Sequence, residues 1–505
     1  MKIPIFNELF FKRSAIVFFI GLFVVGCFVF SDFGLSCDEL GFNRVNGILN
    51  YNFIKTGDSK ELLACSEKYH GPAFEILLYS AEKLFNIPDS RDFFLFRHAL
   101  TFLAFFIATL FFYLLGLKIF KSHGIALLCS VMLVASPRIF AESFYNSKDL
   151  AMLSFCIIAT YTAFIFIERQ TIMWAIIHAA LCGFVMDIRI VGMLLPIATL
   201  YLFLITKPRK ITPIVIFILY TIFFTVAFWP ILWINPVHHF LEAFKEMGHI
   251  QPISVLYFGQ FVSGKDLPWH YLFGWISITT PICYIVFFLI GLFFLVKKTL
   301  VNFTSTLPIQ FFLFMFATPI LSVIILQSTV YDAYRHVFFV YPFLLLIAVY
   351  GLIQITNAIK NKWAVKIIYS SLIISIFFVF GIMIAIHPFQ NVYFNSLAGK
   401  NIRQNFDLDY WGLSYRQGLE YILANDKSEK INIAFDNGEC VLNFYIIPIE
   451  DRKRLTWTYD RNAADYYLTN FRLHPTDYNY GPSVFEIEVG NEKIMEVQKL
   501  TPTKN

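Results

Sequence analysis

Charged residues in an otherwise apolar chain fall into a few clusters, and each cluster could do chemistry. Asp38-Glu39 follows a first apolar stretch. Adjacent carboxylates at a membrane surface can take a proton from a hydroxyl or hold a divalent cation; a solvated loop pair is the plainer alternative. Arg97-His98 lies inside the start of a second stretch. A guanidinium there can grip phosphate through two hydrogen bonds, or snorkel and pair with Asp92. The string from Ser136-Pro137-Arg138 through Glu142 and Tyr145 to Lys148-Asp149 crowds charges into one turn. It reads as part of a site, although Asp149 could equally be a helix-start cap. Asp187 and Arg189 read as a local ion pair, with Arg189 facing a cavity as the alternative. Tyr331-Asp332-Ala333-Tyr334-Arg335-His336 sets cations beside aromatic rings. That suits a phosphate and a sugar ring, or else an interfacial Tyr girdle with a snorkelling Arg. No Cys or His spacing resembles a zinc site, and glycine-rich nucleotide loops are absent.

The rest of the chain decides where these groups sit. Of 505 residues, 57% are hydrophobic and 15% charged, and the mean hydropathy is +0.63. A soluble domain is about a quarter charged, so a purely cytosolic enzyme, a disordered chain and a nucleic-acid-binding chain are excluded. A bilayer-crossing helix needs roughly 20 mostly apolar residues, and about eleven stretches qualify: 15–33, 93–117, 121–136, 150–167, 171–186, 190–206, 211–233, 271–296, 308–328, 337–356 and 364–386. The first ends in Phe30-Ser31-Asp32-Phe33, without a small-x-small cleavage site, and reads as a retained span.

Lys and Arg in short loops orient such a chain. With the N-terminus cytoplasmic, the inner segments carry Lys2, Lys12, Arg13, Lys118, Lys121, Arg169, Lys207, Arg209, Lys210, Lys297, Lys298, Lys360, Lys362 and Lys366, against Glu8 and Glu168 alone. In the first outer loop, acidic residues outnumber basic ones. The clusters above then converge on the extracytoplasmic side. Outer segments 31–92, 234–270 and 387–505 are too long to be plain connectors. Between His70 and Asn86, residues Phe74, Leu77, Leu78, Ala81 and Leu84 share one face of an amphipathic helix expected to lie in the interface. In the tail, Lys430–Phe435 and Tyr466–Asn470 read as strands, and Val484–Val489 and Lys493–Val497 flank a Gly490-Asn491 turn as a hairpin. The expected fold is a polytopic α-helical membrane protein, with residues 1–386 in and around the bilayer and residues 387–505 a small extracytoplasmic α+β domain. Cys37 and Cys65 share an oxidising loop, where a bridge or two free thiols are both open.

Longer strings carry a resemblance. Tyr331-Asp-Ala-Tyr-Arg-His-Val-Phe-Phe-Val-Tyr-Pro342, His387-Pro-Phe-Gln-Asn-Val-Tyr-Phe-Asn395 and Asp407-Leu-Asp-Tyr-Trp-Gly-Leu-Ser-Tyr415 occur in that order. They follow the Asp38-Glu39 pair, the Arg97 position, a Pro-ended third stretch and the Asp149-Leu-Ala-Met-Leu-Ser-Phe155 opening of the fourth. In these features the chain resembles bacterial GT-C glycosyltransferases of the protein O-mannosyltransferase and aminoarabinose-transferase type. The resemblance implies an inner-membrane enzyme that moves a sugar, with inversion, from a polyprenyl-phosphate monosaccharide to a protein, lipid or glycan acceptor. It implies Asp38 as general base with Glu39 its neighbour in the motif, Asp149 as second acid, and Arg97 and Arg138 on the lipid phosphate. Position and charge add Tyr331, Asp332, Arg335 and His336 to the donor site. Arginines can stabilise the leaving phosphate in place of a metal, so no cofactor is required, although the acidic pair could hold a divalent cation. Many relatives have Lys-Pro-Pro where this chain has His70-Gly71-Pro72, which makes His70 a weaker substitute for a phosphate-binding lysine. The alternatives are a transporter or flippase of a lipid-linked sugar, and a ligase moving a glycan from a lipid pyrophosphate.

Overall fold

The computed structural model describes residues 8–206, 210–246 and 253–501. Lys2, Lys207 and Arg209, part of the basic bias read from the sequence, lie outside the described residues. The chain is a multi-pass membrane protein. Among the described residues, seven helices are long and apolar enough to cross a bilayer: Glu8–Val29, Ser90–Phe120, Asp149–Arg169, Ile282–Val301, Phe303–Ile325, Arg335–Ala358 and Lys362–Ala385. His123–Val134 and Pro137–Tyr145 meet the same test only as a pair, bent by 68°. Pro137 starts the second half, where its missing N–H costs nothing. Three shorter apolar helices are Ile172–Ile188, Ile190–Ile205 and Thr212–Phe228.

Each apolar stretch read from the sequence is helical, with one correction of shape. The stretch at 271–296 is two helices, Tyr271–Thr279 and Ile282–Val301. Pro281 lies in the break, since it can neither donate in a helix ladder nor admit the preceding residue to it.

Burial sorts the helices into a centre and a periphery. Within their apolar windows, Asp149–Arg169 is 89% and Arg335–Ala358 is 94% buried, whereas Glu8–Val29, Ile282–Val301 and Lys362–Ala385 are each 22% buried. The peripheral helices therefore present apolar side chains to lipid. Gly291 and Gly351 let Ile282–Val301 close on the central helix; a Cβ on Gly351 would stand 2.1 Å from the Phe287 carbonyl oxygen. Such close approach of small residues is how helices associate without a hydrophobic drive between them.

The segment between the first two crossings folds over one end of the bundle through helices Val45–Thr56, Lys60–Ala64 and Ala73–Leu84. Ala73–Leu84 is helical as expected, with a correction to which of its residues face inward. Phe74 and Leu78 are buried, but Leu77 and Leu84 are exposed, and Glu75 and Glu82 are buried. Both carboxylates turn inward because Arg97 stands between them. The glycine of His70-Gly71-Pro72 is set by another close approach. A Cβ at Gly71 would lie 1.0 Å from the Asp187 carbonyl oxygen.

The segment from 254 to 263 forms a hairpin of β1 (Ser254–Tyr257) and β2 (Gln260–Ser263) that the sequence did not suggest. Beyond the last long helix stand β3 (Ile431–Phe435), β4 (Leu455–Thr458), β5 (Tyr466–Thr469), β6 (Ser483–Val489) and β7 (Glu492–Lys499) in the order β4-β3-β5-β7-β6. β3 runs parallel to β4 and β5, and β7 antiparallel to β5 and β6. The β6–β7 turn is the Gly490-Asn491 pair, with Gly490 at φ +65°, the backbone region glycine enters freely.

Candidate active site

Asp38 stands at the N-terminal end of the π-helical turn Glu39–Arg44, just after a short loop that follows the first crossing, and the C-terminal region holds that loop. The Asn443 amide accepts from Leu35 N at 2.9 Å and donates to Leu35 O at 3.1 Å. Arg416 donates to the carbonyls of Ser31 and Phe33. Asp38 Oδ2 accepts from Arg335 Nη1 at 2.6 Å. Arg335 opens the last turn before the central helix Tyr341–Ala358. Its guanidinium also faces Asp332 at 3.3 Å and Asp149 at 3.6 Å. The rings of Tyr331 and Trp411 flank it, 4.9 and 4.6 Å from its carbon. Asp149 heads the other central helix. It accepts from Asn146 Nδ2 at 3.1 Å and pairs with Arg189. One end of the bundle thus gathers Asp38, Asp149, Arg189, Asp332 and Arg335 into a chain of alternating charge.

This field sets the charge states at the mouth of the site. Burial alone would raise the Asp38 carboxyl, but the charge and hydrogen bond of Arg335 prevail and hold it below the usual carboxylate range. Lys148, beside Asp149, is pushed down to about 8, first by burial and then by Arg189, against the pull of Asp38, Asp149 and Glu67. His70 is pushed below its usual value, first by the Lys148 charge and then by burial, although Glu67 accepts from its Nδ1 at 2.8 Å. At neutral pH it is uncharged and cannot replace a lysine.

Other expected residues lie elsewhere. Glu39 points away from Asp38. It accepts from Ser36 N at 2.8 Å and meets His98 Nε2 at 2.8 Å, so it fixes the loop rather than sharing Asp38's space. Arg97 is buried and clasped by Glu75 and Glu82. It does not pair with Asp92, which faces Arg91 at 3.7 Å. Both terminal nitrogens of Arg97 are thus engaged by carboxylates, and Arg44 shares Glu82 with it at 3.0 Å. Arg138 is buried beneath Trp275 and Phe394, and its Nε donates to Tyr393 O at 3.1 Å. Its two terminal nitrogens have no hydrogen-bond partner among the described residues. His336 stacks edge-on against Tyr331 at 4.7 Å. Asp187 and Arg189 do not pair, because Asp149 takes the guanidinium. Cys37 and Cys65 are both free thiols.

The strings that carried the resemblance meet in space. Asp409 accepts from Asn391 Nδ2 at 3.2 Å and Ser414 N at 2.8 Å. This places Trp411 over Arg335, while Tyr410 donates to Glu142 at 3.0 Å. Among the described residues, no three His, Cys, Asp or Glu side chains are placed to hold a metal ion. Residues 92–234 match the family described as dolichyl-phosphate-mannose-protein mannosyltransferase. That segment contains the Arg97 position, the Pro-ended third stretch and the Asp149 opening of the fourth, on which part of the resemblance rests. Two solved structures also align, both of ArnT from Cupriavidus metallidurans, one bound to undecaprenyl phosphate and one in the apo state. Each is 12% identical, with TM-scores of 0.46 and 0.49, over 95% and 96% of this chain and 97% and 98% of theirs. No curated protein matches the sequence.

Lys148 stood in a string read as part of a site and Arg189 had a cavity-facing alternative, yet neither was singled out for a role there. Arg472 and Glu439, which reach the site from the C-terminal region, carried no signal at all.

Proposed function

We propose that the chain transfers a glycosyl group, with inversion, from a polyprenyl-phosphate monosaccharide to an acceptor hydroxyl at the extracytoplasmic face of the bacterial inner membrane. The N-terminus is then cytoplasmic and the C-terminal region outside. The observation that carries this is the Asp38–Arg335 pair at 2.6 Å, set at one end of a bundle whose segment 92–234 matches a lipid-phosphate-sugar-dependent family. The acceptor oxygen attacks the anomeric carbon as the bond from that carbon to the phosphate oxygen breaks. The hydroxyl proton passes to Asp38, and the electron pair leaves on polyprenyl phosphate.

Arg335 links the two halves of this step. Free of donor, it holds Asp38 ionised and weakly basic. A donor phosphate competes for the same guanidinium. As Arg335 turns to it, Asp38 loses its countercharge and becomes a better base just when an acceptor must be deprotonated. Arg189 and Lys148 are placed to share the phosphate charge.

The carboxylates face guanidinium groups, so metal-free transfer is the expected mode. EDTA treatment of the full chain should leave the rate within about twofold, since positioned cations already stabilise the leaving phosphate. A loss of activity restored by a divalent cation would contradict this. Lys148 predicts the alkaline side. It binds phosphate only when protonated, and its affinity for protons is lowered to about 8. The donor KM should therefore rise as pH passes about 8, and Lys148→Arg should move that rise to higher pH because Arg keeps its charge. The function itself is tested by offering the full chain a panel of polyprenyl-phosphate sugars with acceptor fractions. Acceptor-dependent release of free polyprenyl phosphate, followed by mass spectrometry, is the expected result.

A further inference from the structure

Asp332 is held from both sides. Arg335 lies 3.3 Å from its Oδ2, and Arg472 Nη2 donates to its Oδ1 at 3.0 Å. Arg472 belongs to the C-terminal region, just after β5. Its Nη1 reaches Glu439 at 2.6 Å and the Tyr410 carbonyl at 2.8 Å. The side chains of Asp332 and Arg472 are 2% and 10% exposed, so solvent does little to screen them. Both partners stand on unusual backbone. Asp332 and Ala333 have φ of +54° and +64°, and Phe471 and Leu473, either side of Arg472, have φ of +60° and +67°. Non-glycine residues keep such angles only where their surroundings fix them. Two constrained turns, one from each part of the chain, therefore meet through one buried ion pair, three residues before the arginine that holds Asp38.

We infer that Arg472 is a positioning residue for the reaction: by occupying Asp332 it keeps Arg335 directed at Asp38. Without Arg472, Asp332 keeps an unshared negative charge 3.3 Å from Arg335 and competes with Asp38 for the same guanidinium. The turn 331–335 then loses its ion pair to the C-terminal region and keeps from that side the Trp411 ring over Arg335. Arg472 does not fasten that region alone. Arg416 grips the carbonyls of Ser31 and Phe33, Asn443 grips Leu35, and Arg452 faces Asp89 at 3.3 Å. Removing Arg472 should thus loosen the turn without undocking the region.

The inference rests on the proposed glycosyl transfer for its kinetic arm alone. The first arm needs no substrate. Hydrogen–deuterium exchange would be followed in the full chain in detergent, as wild type, Arg472→Met, Arg472→Lys and Arg452→Met. Peptides covering 331–340 should exchange faster in Arg472→Met, partly recover in Arg472→Lys, and stay as wild type in Arg452→Met. Unchanged exchange in Arg472→Met, or equal loosening in Arg452→Met, would overturn the inference. In the kinetic arm, an Arg335 drawn to Asp332 is lost to the leaving phosphate, so kcat of Arg472→Met should fall about tenfold while Arg189 and Lys148 keep the donor KM within about twofold, the signature of a step lost after binding. A raised KM at full kcat would overturn it as well. If wild type turns over no donor while the exchange pattern holds, the proposed function fails and the clasp stands.

Discussion

Asp38→Asn should give a folded protein whose turnover is lower by about a thousandfold, within the span of roughly 10²–10⁴ that a positioned general base contributes. Asparagine keeps a hydrogen-bond acceptor facing Arg335 but cannot take a proton. The fold should tolerate it. The Asp38 side chain is 21% exposed, and Arg335 retains Asp332 and Asp149 as countercharges. Thermal unfolding in detergent should therefore match wild type to within a few degrees, while the donor KM changes little. Glu39→Gln is the contrasting variant. It weakens the link to His98 and Ser36, so its effect should appear in the melting temperature before it appears in the rate. If Glu39→Gln abolished turnover in a stable protein and Asp38→Asn did not, the roles of the two carboxylates would be exchanged.

Arg97→Met should fail in the opposite way. Arg97 is 1% exposed between Glu75 and Glu82, and Glu82 also accepts from Arg44 at 3.0 Å. Removing one partner of a buried ion pair leaves uncompensated charge and costs about 3–5 kcal/mol. The variant should unfold at a markedly lower temperature, and adding Glu75→Gln should recover part of the loss, because it removes one of the stranded charges. Whatever fraction stays folded should bind donor with an unchanged KM. An Arg97 that gripped the lipid phosphate would instead show normal stability and a raised KM. Unfolding curves and donor titrations on the same preparations separate the two.

These two residues also show how far the sequence could be read. Asp38 was legible because a carboxylate pair beside an apolar stretch is costly and therefore conspicuous. The apolar helices were legible for the same reason, as hydropathy is a local property. Arg97 was equally conspicuous, but its partners were not. Glu75 and Glu82 look like the wet face of an amphipathic helix until the helix is seen packed over Arg97. Arg189 looked satisfied by Asp187, two residues away, yet its partner is Asp149, 40 residues earlier in the chain. The link from Asp332 to Arg472 spans 140 residues and leaves no periodicity or motif behind. In the C-terminal region the β6–β7 hairpin announced itself through alternation and Gly490-Asn491, whereas β4, four residues at the sheet edge, was too short to stand out from its surroundings. Local patterns thus placed the elements and one end of each charge pair; the other ends came only with the tertiary fold.

The decisive measurement uses the full chain reconstituted in vesicles carrying a polyprenyl-phosphate sugar, with acceptor outside, and compares wild type with Asp38→Asn. Wild type should deliver the sugar to the acceptor with inverted anomeric configuration and leave free polyprenyl phosphate, and Asp38→Asn should do neither. Intact donor crossing the bilayer with its sugar still attached, at the same rate in both proteins, would make the chain a transporter and contradict the proposed transfer.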